Sequence, residues 1–501
     1  MKLEITGNGL TIQNLVAAAR SESLKITFAE TALLNMKSGR AFADFVALRG
    51  DPVYGLSVGV GSRKTRITPR EEMVNFNNRM IRDHANAQGP FLPADVTRAA
   101  AICLINSISA GRTLIRPELA LKFAHRLSKG PPLKGLPVYG GTGVGDVVQL
   151  PMLVLDLLDG EQVDVGEALP LIAQSCVVTA HATMAIFDAK TLLNEMCIQS
   201  ALDIEGYAAN PSPYHLFAST LRPFEGYRTA QRCVHACLLG SRLHEESPRH
   251  LQAPLSFRTC TVVLGAAYDA LHFCENQISI ELNAHQQNPL LFHEENRMVT
   301  SGHFDMQAVS SALDFARIAL APALNAQTER SIKLLQASET GLTAGLEPWA
   351  NATASCSNGL SELAWTIQGM CTEARTLIQP VSAETCSSSQ AEGIEDRMNM
   401  ASLSARRLSD MVSLGFRCTT LSAVIASQAI DLREGGAKRL GATLQAVYVK
   451  IRSFIATLGN ESSPPTAVEL EGFLDALKQG LFFEEVQGTL SLLQEQSYSR
   501  L

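Results

Sequence analysis

From residue 166 to 206 apolar residues recur at helical spacing with few breakers, a pattern that short, turn-punctuated strands cannot use. Val309, Leu313, Ala316, Leu320 and Leu324 repeat every three or four residues on one face, and further helix-like runs cover 359–378 and 399–430. Long, Ala-rich, breaker-poor segments of this kind bundle together. Aromatic residues are only 6% of a 501-residue chain that is 46% hydrophobic. The core must therefore be mostly Leu, Ala, Val and Ile, which suits packed helices better than a sandwich. The expected fold is mainly α, a long helical bundle drawn from roughly 166–206, 306–341, 355–378 and 398–458, beside a smaller mixed N-terminal domain.

Punctuation supports that division. Gly7-Asn8-Gly9, Asp51-Pro52, Gly89-Pro90 and Pro131-Pro132 break the first part into short elements. The expected domains are 1–165, mixed and carrying two glycine-rich loops; 166–460, the central bundle; and 461–501, a helical tail set off by Ser462-Ser463-Pro464-Pro465. A net charge of −7 without a long basic run argues against nucleic acid as a partner. The N-terminus has no apolar signal region, and no stretch of about 18 uninterrupted apolar residues follows, so no membrane role and a cytoplasmic location are expected. Eleven cysteines without a Cys-x-x-Cys pair read as reduced packing residues.

Two glycine-rich stretches carry the chemistry. Tyr54-Gly55-Leu56-Ser57-Val58-Gly59-Val60-Gly61 resembles the Tyr-Gly-x-x-x-Gly-x-Gly tyrosine loop of the histidine and aromatic amino acid ammonia-lyase family. Further landmarks follow in the family's order: Arg82-Asp83-His84-Ala85, Gly111-Arg112 with Arg116-Pro117-Glu118, Gln252-Ala253-Pro254-Leu255-Ser256-Phe257-Arg258, Glu281-Leu282-Asn283 with Asn288-Pro289-Leu290, Gly302-His303-Phe304-Asp305, Gln379-Pro380-Val381-Ser382 and Ile394-Glu395-Asp396. The second glycine stretch, Pro137 to Asp146, falls where that family has Ala-Ser-Gly-Asp, whose first three residues cyclise into an electrophilic methylidene-imidazolone (MIO). Here Gly143-Val144-Gly145 stand at the former MIO loop, and no Ser or Cys lies between Gly140 and Leu150. None of these three residues has a hydroxyl or thiol to eliminate, so no MIO and no other cofactor is expected.

Other departures cluster around the same group: Leu255 replaces a second tyrosine, Ala173 a supporting asparagine and Val262 a glutamine. For the retained residues, the resemblance implies Tyr54 as the base that removes the β proton, and Glu395 as a second catalytic group or a ligand for a cationic part of the substrate or an imidazole nitrogen. His84, Gln252, Arg258 and Phe304 are the candidate substrate contacts. Arg258 suits a carboxylate because its fork meets both oxygens and stays charged. The structural alternatives are a packed loop aromatic for Tyr54, an ion pair for Arg258, solvent exposure for Glu395 and core packing for Phe304. His303 and Asp305 are too isolated to suggest a metal site, and Ser387-Ser388-Ser389 has no nucleophile context.

The resemblance implies a carbon–nitrogen lyase that works without the electrophile. The substrate class is an aromatic or imidazole-bearing α-amino acid or betaine, and the leading specific expectation is ergothionase-like elimination of trimethylamine. Alternatives are a non-catalytic ligand-binding or regulatory homologue and an aminomutase-like isomerase on the same scaffold. The family also implies a homotetramer in which one pocket draws on several subunits.

Overall fold

The computed structural model describes residues 1–49, 52–292, 295, 297–349, 358–383, 390–459 and 463–498. Ser387–Ser389 and part of the Ser382–Gly393 loop lie outside them. The chain is mainly helical, as its periodicity requires. The strands among the described residues are short pairs: Lys2–Ile5 runs parallel to Lys25–Phe28, while Gln88–Phe91 with Pro137–Tyr139 and Leu290–Phe292 with Arg297–Val299 are antiparallel.

The chain divides into two compact units, and neither is a single stretch. The first comprises Met1–Phe187, Cys274–Asp314 and Pro380–Arg406; the second comprises Asp188–Phe273, Phe315–Gln379 and Arg407–Leu501. This differs from the consecutive division 1–165, 166–460 and 461–501. The cause is visible in the helices: each boundary within 180–410 falls in or beside a long helix, as at Phe187 inside Cys176–Tyr207 and Arg406 inside Ala401–Leu432. The tail is not separate either. Helices Ala467–Lys478 and Leu481–Tyr498 both pack on Ala442–Phe454 within the second unit.

In the first unit, Ala94–Ser109 is the central helix. Ala99, Ala100, Ala101, Ile102, Leu104, Ile105 and Ile108 are all fully buried, so it is apolar around its whole circumference. Ile12–Arg20 and Pro117–Lys129 pack against it. Met73–His84 lies on Leu150–Leu158 and Ala168–Ile172, and two buried asparagines set its position. Asn78 exchanges hydrogen bonds with the backbone of Val163 (2.9 and 3.0 Å), and Asn77 accepts from the Ala168 amide at 3.1 Å.

The expected helix over 166–206 is broken. Ala168–Ile172 ends at Ala173, which has a non-helical ψ of 43°, and the chain restarts at Cys176. The break lets the buried Asp146 carboxylate accept the Val177 and Val178 amides (2.7 and 3.2 Å) at the new helix N-terminus. An apolar window within Ala168–Tyr207 reaches a mean hydropathy of 1.5, enough by length and composition to cross a membrane, yet 94% of it is buried in the protein. That burial marks it as core. The helix Cys260–Glu281 had no counterpart among the expected bundle segments.

The second unit is built of helices alone among its described residues, and buries a charge network. Arg330 donates to Asp203 (2.7 Å), Ser200 Oγ (2.9 Å) and the Ser256 carbonyl (3.1 Å), so its guanidinium is satisfied out of contact with water. The nine cysteines in the described residues are buried and free.

Candidate active site

A cavity of about 630 Å³ opens in the first unit, and three loops build it. The tyrosine loop supplies Tyr54, Gly61 and Arg63; the glycine-rich loop supplies Gly140, Thr142, Val144 and Gly145; residues 390–398 supply Gln390, Glu395, Arg397 and Met398. His84, Leu169, Ile172, Ala173, Asn288 and Phe304 complete the wall.

The glycine-rich loop is fastened at nearly every residue. The Gly143 carbonyl accepts from the Met306 amide (3.0 Å) and from Asn399 Nδ2 (2.7 Å), and the Thr142 carbonyl accepts from the amides of Asn399 (3.1 Å) and Met400 (2.9 Å). The Gly145 amide donates to the Phe304 carbonyl at 3.2 Å. Glycine is required at 143 for two reasons. Its φ is +86°, and a Cβ there would sit 1.8 Å from Asn399 Oδ1. Asn399 is itself buried and fully engaged, since Nδ2 also donates to Asp305 Oδ1 (2.7 Å) and Oδ1 accepts the Ala401 amide (3.0 Å). Behind the wall, Ser107, Gln174 and Gln287 form a buried polar triangle, and Ser175 Oγ donates to the Phe304 carbonyl (2.8 Å).

Tyr54 is half-buried, and its hydroxyl accepts the Gly61 amide at 2.9 Å. Burial raises its pKa above the usual 10 and the Glu395 carboxylate adds to the rise, while the Gly61 bond opposes it. The phenol therefore stays neutral near pH 7. Activation of Tyr54 by neighbouring cations, which a tyrosine base requires, is not among the causes acting on it. Arg397 is committed elsewhere, with Nε on Asp305 (2.6 Å) and Nη2 on Gln307 Oε1 (2.8 Å). Glu395 is exposed, and its backbone pairs with that of Gln390. His84 Nδ1 lies 2.8 Å from the Met80 carbonyl, an oxygen that only accepts, so Nδ1 donates that hydrogen bond.

Tyr54, His84, Phe304, Glu395, Val144 and Gly145 thus line one cavity, with Gly143 directly behind it. Gln252 and Arg258 belong to the second unit and are not among the lining residues. Arg258 Nε is buried and has no hydrogen-bond partner. Asp305, weighed as a metal ligand beside His303, instead pairs with Arg397 and caps the helix at the Gln307 amide (2.9 Å). No group of three or more metal-ligating side chains occurs among the described residues. Motif reading missed Asn399 and Arg63, and it gave Asp305 no part in holding the loop; a lone asparagine beside a helix start gave no signal for the first.

The profile described as aromatic amino acid lyase matches residues 10–168 and 161–453. The chain belongs to the aromatic amino acid lyase family. Within it, a histidine ammonia-lyase of Stigmatella aurantiaca is 28% identical over 486 residues, covering 91% of this chain and 93% of the relative. That of Clostridium tetani is 25% identical, covering 97% and 98%. The lyase fold is shared with solved structures. Ergothionase from Treponema denticola, in complex with desmethyl-ergothioneine sulfonic acid, superposes with a TM-score of 0.87 at 22% identity, covering 96% of this chain and 99% of that one. Histidine ammonia-lyase from Trypanosoma cruzi reaches 0.88 at 21% identity, covering 98% and 96%.

The family's prosthetic group does not fit the residues of this loop. Val144 has no hydroxyl to lose, and the space for an alanine methyl at 143 holds Asn399 Oδ1.

Proposed function

We propose that this protein is a lyase that eliminates an amine from an aromatic or imidazole-bearing α-amino acid derivative without the family's electrophile, trimethylamine from a histidine betaine being the foremost case. The observation that carries it is the filled, hydroxyl-free loop at Gly143-Val144-Gly145 facing a cavity that keeps the tyrosine, a histidine and a carboxylate. The electrophile serves to turn a poor leaving group into a better one; a quaternary ammonium already leaves as a neutral amine.

Such a substrate also answers the state of Tyr54. Burial and Glu395 hold the phenol protonated, so a fixed positive charge brought in by the ligand would favour the phenolate. The phenolate then takes the β proton, the C–H electrons form the Cα=Cβ bond, and the C–N pair departs with the amine. Glu395 attracts the ammonium, His84 Nε2 accepts a hydrogen bond from a ring N–H, and Phe304 packs on the ring. The family resemblance assigns the carboxylate to Arg258 and Gln252, and a homotetramer is part of the proposal.

The rival is a non-catalytic ligand-binding homologue, and the raised Tyr54 pKa is the observation in its favour. One experiment separates them. The purified protein is incubated with histidine, tyrosine, phenylalanine and their trimethylated forms, and the absorbance of the conjugated acrylate is followed. Turnover confined to trimethylated forms, falling roughly 100-fold or more in Tyr54→Phe, supports the lyase. Binding without turnover across the panel supports the rival.

A further inference from the structure

We infer that a cavity in the second unit, walled by Arg249, Arg433 and Arg439, is a binding site for a small oxyanion of the phosphate or carboxylate kind. The cavity measures about 210 Å³ and takes its whole lining from that unit. It owes nothing to the residues proposed for elimination, and it stands whether or not that reading holds.

The guanidiniums outnumber the acids that answer them. Arg439 is buried, at 7% exposure; its two terminal nitrogens grip the Glu246 carboxylate at 3.0 and 2.5 Å. Its Nε is also buried and has no hydrogen-bond partner. A buried N–H in that state is destabilising unless an acceptor arrives. Glu246 is meanwhile shared with Arg242 at 3.0 Å, so one carboxylate serves two cations. Arg433 spends Nε and Nη2 on the carbonyls of Gly206 (3.0 Å) and Tyr207 (2.9 Å), which are neutral oxygens, and the carboxylate that bears on its charge is the same Glu246 already shared by Arg439 and Arg242.

Arg249 is exposed. Its guanidinium lies against Gly341, whose φ is +66° and where a Cβ would meet Nη1 at 2.7 Å. The absence of a side chain at 341 thus leaves room for that head group beside the cavity. The cations also act on one another: burial first, then the charges of Arg249 and Arg439, lower the Arg433 pKa to about 10. An anion seated among the three would relieve that repulsion and offer several oxygens to forked donors. Glu434, the other acid in the lining, is exposed, so the chemistry selected is a small ligand with two or more oxygens on one centre.

The test is calorimetric titration of the full-length protein with inorganic phosphate, sulfate and acetate, each against sodium chloride of equal ionic strength. Saturable binding of phosphate and sulfate assigns a tetrahedral oxyanion, and saturable binding of acetate alone assigns a carboxylate. In either case Arg249→Gln, at an exposed position where folding should survive, weakens that binding about ten-fold or more while the far-ultraviolet circular dichroism is unchanged. No saturable heat from any of the three anions overturns the inference. Binding in Arg249→Gln as tight as in the wild type overturns it as well.

Discussion

Gly143→Ala should be far more damaging than an extra methyl in a surface turn. The added Cβ meets two obstacles, a backbone at φ +86° and Asn399 Oδ1 at 1.8 Å, with the Ala401 amide nitrogen at 2.9 Å beyond it. Holding a non-glycine residue left-handed costs about 1–2 kcal/mol. Moving the Asn399 amide aside breaks its bonds to the Gly143 carbonyl, Asp305 and the Ala401 amide, at about 1 kcal/mol each. The expected loss is about 4–5 kcal/mol. Urea denaturation followed by circular dichroism would measure it, through the shift in midpoint at constant slope. Asn399→Ala supplies the internal check. Once that amide is gone the backbone cost and the approach to the Ala401 nitrogen remain, so the second substitution should add about 1–2 kcal/mol, a coupling of about 3 kcal/mol. A loss below about 1 kcal/mol for Gly143→Ala, or additive effects in the double variant, would refute the claim that Asn399 excludes a side chain at 143.

Asp146 should make stability depend on pH. Burial raises its pKa to about 7 from the ordinary 3.8, so the unfolded chain releases this proton first, and the contribution is present below about pH 4 and lost as pH rises through about 7. Asp146→Asn should flatten that slope between pH 4 and 7 in thermal unfolding. Arg330→Leu strands the buried Asp203 carboxylate and should cost about 3–5 kcal/mol in the same denaturation assay. Glu395→Gln removes one of the two influences raising the Tyr54 pKa, so the ascending limb of the turnover profile on an active substrate, which follows deprotonation of the base, should move to lower pH; an unmoved limb would separate Glu395 from the base. The intact mass should equal that of the encoded chain, without the loss of two waters, and borohydride should not inhibit turnover.

The helical class was legible because periodicity is local: 309–324 carries its stripe within a few turns, and Gln307–Leu334 is the helix it marks. Tyr54, His84, Phe304 and Glu395 could be selected from motif order, and they do meet in one cavity. What motif order could not carry was which side chains hold the loop. The glycine cluster 140–145 carries no mark of its partner, because the need for Gly143 depends on Asn399, far along the chain. The break at Ala173 was hidden for a similar reason, since the carboxylate that starts the next helix comes from Asp146. Unit boundaries inside continuous helices leave no composition shift to read.

The discontinuity of the first unit sets an order on its birth at the ribosome. Asn399 secures a carbonyl made 256 positions earlier, and the cavity wall opposite Tyr54 comes from residues 390–398. Until about four-fifths of the polypeptide has emerged, the nascent glycine-rich loop has no clasp and the N-terminal third waits with an unfinished pocket. Contacts of such long separation are slow to find and leave apolar surface open meanwhile. Truncated translation products ending before residue 390 should therefore be the aggregating, chaperone-bound forms of this protein, and release of the chain past residue 406 the event that lets the first unit close.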